Sequence, residues 1–488
     1  MSITSHHPKY DAMLDKWRRM EDAYAGEDKI KEGGLKYLPS TPAQELDGMS
    51  SGEKGYKNYQ NYRTRANFPD IVYTAIDSVL GVMHSKPATI ELPEKMESLR
   101  ERVTVKGESM QMLLRKINQA QLTTGRLGLF TDVEDGAGPK VLPYIVMYGT
   151  EDIINWDDTP DFGLANQNLC MVVLNESENL REDEFEWQVK EKYRVLIMGD
   201  VSPDNNEGFF KVGVYNEDTS YDYSEELMME PSIGGNKLKK IPFTFINSRD
   251  IIADPDKPPL LGLANLALTI YHGDADYRNS LFMQGQDTLV ITGSTVDGDD
   301  DVRVGAGARI DIAIGGDAKY IGVNSKGLPE MRTALENDKK EAADLSGKLL
   351  DTRGGQAESG EALRIRVSAR TASLHQIALT GATGLQTQLR IMAEWIGADP
   401  NEVIVTPNTD FADNTLEGKN LLDYVAAKTL GAPWSWASLH QLMQERDLTK
   451  MTFDEEKKVI ESEVGLDFSS GGDGTGVEED DDNGANED

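Results

Sequence analysis

Four short stretches carry residue types that could do chemistry. Gly48-Met49-Ser50-Ser51-Gly52 has the G-x-S-x-G spacing of a hydrolase nucleophile elbow, in which a tight turn from a buried strand into a helix exposes the serine hydroxyl. Its flanks, Gln44-Glu45-Leu46-Asp47 and Glu53-Lys54-Gly55, are polar. No strand is expected before it, and the match reads as chance. Asp297-Gly298-Asp299-Asp300-Asp301 sets carboxylates at the first, third and fifth positions of a calcium loop, but Val302 stands where that loop needs glycine and Ala308 where it needs a bidentate glutamate. A solvated turn is the better reading. Gly305-Ala306-Gly307-Ala308-Arg309-Ile310 begins like a dinucleotide fingerprint and lacks the final glycine and the helix after it. The six histidines make no H-E-x-x-H pair and no G-x-x-x-x-G-K-[ST] occurs, so nothing cradles a triphosphate. His272 and His375 read as structural. The chain reads as no enzyme, with no cofactor and no metal.

Basic and aromatic groups are the remaining candidates. Arg353, Arg364, Arg366 and Arg370 gather around a glycine-rich break in an otherwise acidic chain. They could meet phosphate or the acids of an adjacent copy; the second reading is preferred, because a passage through which a polyanion slides gains nothing from tight binding. Arg353 and Gln356 at the break remain candidates for transient contact. Arg303, Arg309 and Lys319 either balance the acidic run at Asp299, Asp300 and Asp301 or touch the same polyanion. Tyr56, Tyr59 and Tyr62 lead into Arg63, Arg65 and Asn67. Such a cluster could stack on bases; a helix face packed on a neighbour is the expected reading.

The charge balance narrows the class. With 84 acids against 50 bases the net charge is -34, which opposes general adhesion to nucleic acid or anionic lipid, since phosphate binding draws on Lys and Arg. It implies solubility, or contact with nucleic acid without sticking. One cysteine, Cys170, leaves no intrachain disulfide and fits a reducing cytoplasm. Length permits two to four domains. No apolar run reaches the roughly 20 residues that span a bilayer, and the N-terminus lacks the form of a secretory signal.

The elements that position these residues follow from periodicity. Tyr10, Met13, Trp17, Met20 and Tyr24 keep helical spacing over 8–26, and Ile71, Val72, Ala75, Ile76, Val79 and Leu80 do so over 69–84. Gln111–Leu127 is a further helix. Strands are expected at Arg126–Val133, Tyr144–Tyr148, Asp152–Trp156, Cys170–Leu174, Phe185–Ile197, Phe209–Tyr215 and Ile241–Ile246, in a mostly antiparallel sheet. Pro258-Pro259 opens a helix to about Gly285 whose apolar face holds Leu263, Leu266, Ala267, Ile270, Tyr277 and Leu281. Asp274, Asp276, Arg278 and Asn279 fall opposite that face. A glycine-rich β module follows, then a helix from Leu328 to Asp351. Arg353-Gly354-Gly355-Gln356-Ala357-Glu358-Ser359 interrupts the pattern before a long helix to Ile396, in which Gly381 and Gly384 predict a bend. Val403-Ile404-Val405 is a strand expected to rejoin the sheet. Short helices are expected at Asn420–Leu430, Trp434–Gln444 and Phe453–Val464, and a disordered acidic tail after them. The class is α+β. Two helices bracketing a β knob suggest a part of a larger assembly.

Read together, Tyr37-Leu38-Pro39, the run Tyr59–Pro87, Asp152-Ile153-Ile154-Asn155-Trp156, Ile241-Pro242-Phe243-Thr244-Phe245, Ala275-Asp276-Tyr277-Arg278-Asn279-Ser280-Leu281 and Glu361-Ala362-Leu363-Arg364-Ile365-Arg366 resemble the portal (head–tail connector) proteins of tailed bacteriophages, in a branch known as a domain of unknown function. The resemblance implies a portal fold: N-terminal helices and an α+β wing over 1–257, stem helices at 258–285 and 328–351, a clip at 286–327 and a tunnel loop at 352–360. A long kinked helix and a return strand would cover 361–411, a helical crown 412–466 and the acidic tail 467–488. It further implies a ring, in most mature particles a dodecamer, at one capsid vertex of the virion, assembled in the host cytoplasm. Double-stranded DNA would pass through during packaging and ejection. The implied partners are the large terminase ATPase, major capsid and scaffolding proteins, and head–tail adaptor or tail proteins; no membrane is implied. The competing classes are a hydrolase or nuclease with an oligomerisation domain, and another ring-forming virion structural protein.

Overall fold

Helix α1 (Pro8–Ala25) shows how local sequence sets the elements. His7 caps it by accepting the Lys9 N–H at 3.1 Å, Pro8 occupies the first turn, and Gly26 ends it at φ 95°. Its buried stripe is Tyr10, Trp17, Met20 and Ala23. A computed structural model describes residues 2–133, 142–158, 169–181, 185–199, 208–216, 221–233, 236–284, 288–292, 315–321, 327–347, 360–409, 411, 425–428, 435–445 and 449–463. The chain divides into two units, Met1–Phe411 and Ala412–Asp488.

In the first unit, α2 (Glu27–Glu32) follows α1, and a capping box at Thr41 and Gln44 starts α3 (Pro42–Leu46). Then come α4 (Lys54–Arg65), α5 (Ile71–Met83) and α6 (Met110–Thr123), the last capped by Ser109. These helices close one core around Met20, Ile76, Leu80 and Ala267. Strand β1 (Thr89–Glu91) stands apart, and the later strands form two principal sheets. Strand β2 (Arg126–Asp132) lies between β3 (Tyr144–Tyr148) and a strand at Phe243–Asn247, all antiparallel. A five-stranded antiparallel sheet holds β4 (Ile153–Asp157), β5 (Met171–Asn175), Lys192–Gly199, Phe209–Asn216 and Met228–Met229 in the spatial order fifth to first. The mixed architecture is α+β.

A buried charge network fastens one sheet to the other. Arg194 donates to Glu176 Oε1 at 2.7 Å and Asp132 Oδ2 at 2.8 Å, and the Tyr148 hydroxyl donates to Glu176 Oε1 at 2.5 Å. Burial alone would lift the Glu176 carboxyl, but Arg194 and the Tyr148 hydroxyl outweigh it and hold the group below the ordinary carboxylate range. Burial also raises the Tyr148 phenol. Arg126 is fully buried, stacked 4.0 Å over Trp156 and 4.5 Å over Phe245, and it donates to the Ala253 carbonyl at 2.8 Å.

A long helix (Gly360–Ile396) crosses the three-stranded sheet. Its buried Gln388 donates to the Leu129 carbonyl at 3.1 Å and Thr244 Oγ1 at 2.7 Å, and accepts from Thr131 Oγ1 at 2.6 Å. The helix runs unbroken through Gly381 and Gly384, where a weak point or bend is expected from the sequence. Both glycines mark close approach. A Cβ at Gly381 would stand 2.6 Å from Asn118 Nδ2 and 2.7 Å from Gln121 Oε1, and one at Gly384 would overlap the Ile246 side chain.

Two strand readings are also corrected. Ile404–Thr406 does not rejoin either main sheet; it pairs with Thr89–Glu91, with Val405 opposite Ile90. The run 185–197 is not one strand but two, Trp187–Lys190 and Lys192–Gly199, parted at Glu191. In the second unit, the helices Trp436–Glu445 and Phe453–Glu463 are described, with the His440 ring 5.5 Å from that of Phe453.

Candidate functional site

The assembly-like feature in the sequence becomes a helix, a hairpin and a second helix. Helix α7 (Leu261–Gln284) is followed by a hairpin of Thr288–Thr292 with Asp317–Ile321, Thr292 opposite Asp317, and then by α8 (Leu328–Gly347). The hairpin turns the chain back, so α7 and α8 run antiparallel. They pack closely: a Cβ at Gly273 would stand 3.1 Å from Leu335 Cδ1. Leu335 and Ala342, two turns apart, are the buried contacts of α8, while most of its other residues face outward.

The base of α7 is seated by polar contacts with the N-terminal helices. The Asp274 carboxylate is 4% exposed; it accepts the Asn67 N–H at 2.8 Å and Arg278 Nε at 2.6 Å. Its expected place on a polar face is therefore corrected. The joint between α4 and α5 needs an acceptor for that N–H, and Arg278 neutralises the buried charge. The Tyr62 hydroxyl donates to Asp276 Oδ1 at 2.5 Å; burial first, and this bond second, raise its phenol pKa. Arg65 lies 3.5 Å over the Phe282 ring. His272 is within 2.6 Å of the Tyr37 carbonyl, and the Tyr59 hydroxyl donates to the Leu38 carbonyl at 2.9 Å. The Arg/Tyr cluster is thus a packing face, with Tyr59 and Tyr62 buried. Asn279 is half-buried on the same helix.

Other expected site residues divide sharply. Lys319 pairs with Asp317 at 2.8 Å on the hairpin, both exposed, an arrangement that contributes little to stability. Arg364, Arg366 and Arg370 fall on the first turns of the long helix, where positions 366 and 370 lie one turn apart and 364 on another side. Asp299, Asp300, Asp301, Arg303 and Arg309 lie outside the described residues, as do Arg353, Gly354, Gly355, Gln356, Glu358 and Ser359 and the acidic tail. The calcium-loop and dinucleotide-like stretches fall there too.

Ser50 is placed, and its surroundings are not those of a nucleophile. It sits between α3 and α4 rather than after a strand, and its N–H donates to Glu53 Oε2 at 2.7 Å. Gly48 and Gly52 hold φ of 87° and 95°, as the loop requires. Among the described residues no group of three or more His, Cys, Asp or Glu could hold a metal, and no helix is long and apolar enough to cross a membrane.

Comparison with known proteins falls on this same region. Residues 259–396 match the model of a domain of unknown function, DUF4055. No curated protein matches. Among solved structures, the chain is similar to one from the neck of a native gene transfer agent particle determined with C12 symmetry, at 14% identity, covering 76% of this chain and 89% of the other, with a TM-score of 0.38. It is similar to a chain in the virion of a native gene transfer agent particle at 12% identity, with 78% and 91% covered and a TM-score of 0.41. A third, from the neck of an empty particle with C6 symmetry, gives 12%, 83%, 98% and 0.39. All three are chains of gene transfer agent particles.

Sequence reasoning missed two features of the surface. Leu281, Phe282 and Met283, in the last turn of α7, are 43%, 45% and 62% exposed. Phe185, Trp187 and Val189 are also exposed. Alternation at 185, 187 and 189 was visible as a strand signal, but periodicity reports which residues share a face, not whether anything covers that face.

Proposed function

We propose that the chain is a phage portal subunit: copies packed side by side form a ring at a capsid vertex, with a bore for double-stranded DNA. The last turn of α7 carries this reading. Helical residues two apart point about 200° from each other, so exposed Leu281 and Met283 face opposite sides, while Phe282 lies under Arg65. One neighbour covers one face. Copies on either side of a ring-forming helix cover several.

On this reading α7 and α8 are the stem, the hairpin belongs to the clip that docks the packaging ATPase and later the adaptor proteins, and residues 352–360 form a loop at the bore. The net charge of -34 supports a passive mechanism: an acidic wall repels phosphate and lets DNA slide, while the loop narrows the passage and resists back-slippage. Arg364, Arg366 and Arg370 would pair with acids of the adjacent copy. The deciding experiment is negative-stain imaging of the purified full chain with a mass measurement in solution. A ring with a stalk and an axial hole is expected; a monomer at micromolar concentration would refute the proposal.

A further inference from the structure

The five-stranded sheet extends beyond its rim. Past Asn175 and before Lys192, its paired strands continue as a hairpin of Glu178–Arg181 with Trp187–Lys190, Glu178 opposite Lys190 and Arg181 opposite Trp187. Alternation sets Trp187 and Val189 along one face. They are 65% and 66% exposed, and residues 185–191 are exposed throughout. A two-stranded hairpin is marginal in water by itself, and two large apolar groups side by side on one mark an interaction surface.

The same chain carries a hole. Strand β3 is the edge of its sheet. Beside it lies a groove of about 350 Å³ floored by Leu113, Ile145 and Met147 and rimmed by Val105, Lys106 and Lys116. The Ile145 N–H points outward, donating to the Val103 carbonyl at 2.8 Å. By alternation, position 147 also turns its backbone groups toward the groove. Val105 at the rim is 67% exposed.

We propose that the Trp187 hairpin of one copy docks in the β3-edge groove of the next. This rests on the ring reading and names its contact. Knob and hole are different surfaces of one subunit, so the contact is heterologous and propagates head to tail, as a ring requires; a two-fold dimer would need one patch to match itself. Charge favours a second copy as the occupant. Identical chains of net charge -34 repel, so a contact between them needs opposite signs locally. Exposed Glu191 follows the apolar pair at the end of its strand, and exposed Lys106 with Lys116 borders the groove. Lys116 is already paired with Glu108, which leaves Lys106 as the cation the proposal relies on.

The test uses the full chain in a Cys170→Ser background, with ring formation first scored by mass. Val105→Cys combined with Val189→Cys keeps Trp187 in place. Mild oxidation of the double variant should give a ladder up to the closed multimer on a denaturing gel, and neither single variant should. Intact rings without the ladder would overturn the docking and leave the ring reading standing; dimers from Val189→Cys alone would show the hairpin pairing with itself and overturn it as well. An unmutated chain that stays monomeric would sink the ring and the docking together. Lys106→Glu should weaken assembly about tenfold and Glu191→Lys should restore it in the double variant; absence of rescue counts against the contact.

Discussion

Replacing Gly384 by alanine tests whether the long helix is held by close approach to the sheet or bends at its glycines. An added Cβ would run into Ile246, which is fully buried behind it. Overpacking of that kind costs about 1–3 kcal/mol, while Ala in place of Gly in a helix returns about 1 kcal/mol. A net loss of up to about 2 kcal/mol is expected. The control is Gly81 in α5, exposed and helical, where an added Cβ meets nothing within 4 Å. There the propensity gain, up to about 1 kcal/mol, stands alone. Thermal melts followed by circular dichroism should place Gly384→Ala below the unmutated chain and Gly81→Ala at or above it. The reasoning fails if Gly384→Ala melts as high as Gly81→Ala, since a bend-forming glycine, unlike a packing one, would tolerate the methyl.

Five further outcomes are expected. Arg194→Met removes the cation that buried Glu176 and Asp132 share, leaving Lys192 3.4 Å from Glu176, and should cost up to about 3–5 kcal/mol in denaturant unfolding. Because the Glu176 carboxyl is held below its ordinary value, its contribution is present above about pH 4.3 and is lost as pH falls through the lower folded value; Glu176→Gln should therefore flatten the acid side of the stability profile. Asp274→Ala removes the acceptor of the Asn67 N–H and of Arg278, at about 1–3 kcal/mol, read by the melting temperature. Deletion of Gly354–Ser359 should leave rings intact by mass and reduce retention of packaged DNA; full retention would count against the loop's role. Ser50→Ala should change stability by less than about 0.5 kcal/mol and leave assembly untouched.

Periodicity by itself determined the elements. The stripes of α1 and α5, the proline-led start of α7 and the short apolar runs of β2 and β3 are local properties, and an apolar residue every three to four positions, or a short unbroken apolar run between turn residues, leaves few alternatives to the backbone. The same reading set the helix–knob–helix order before any contact was known. Tertiary structure decided what faces what. Asp274 looked like a surface acid until the α4–α5 joint supplied its N–H, and only the fold shows Ile246 filling the space against Gly384. The return strand found Thr89–Glu91 rather than a main sheet, because strand pairing is a long-range choice that no local pattern encodes. A side chain's type and spacing are written in the chain; its partner is set by residues hundreds of positions away.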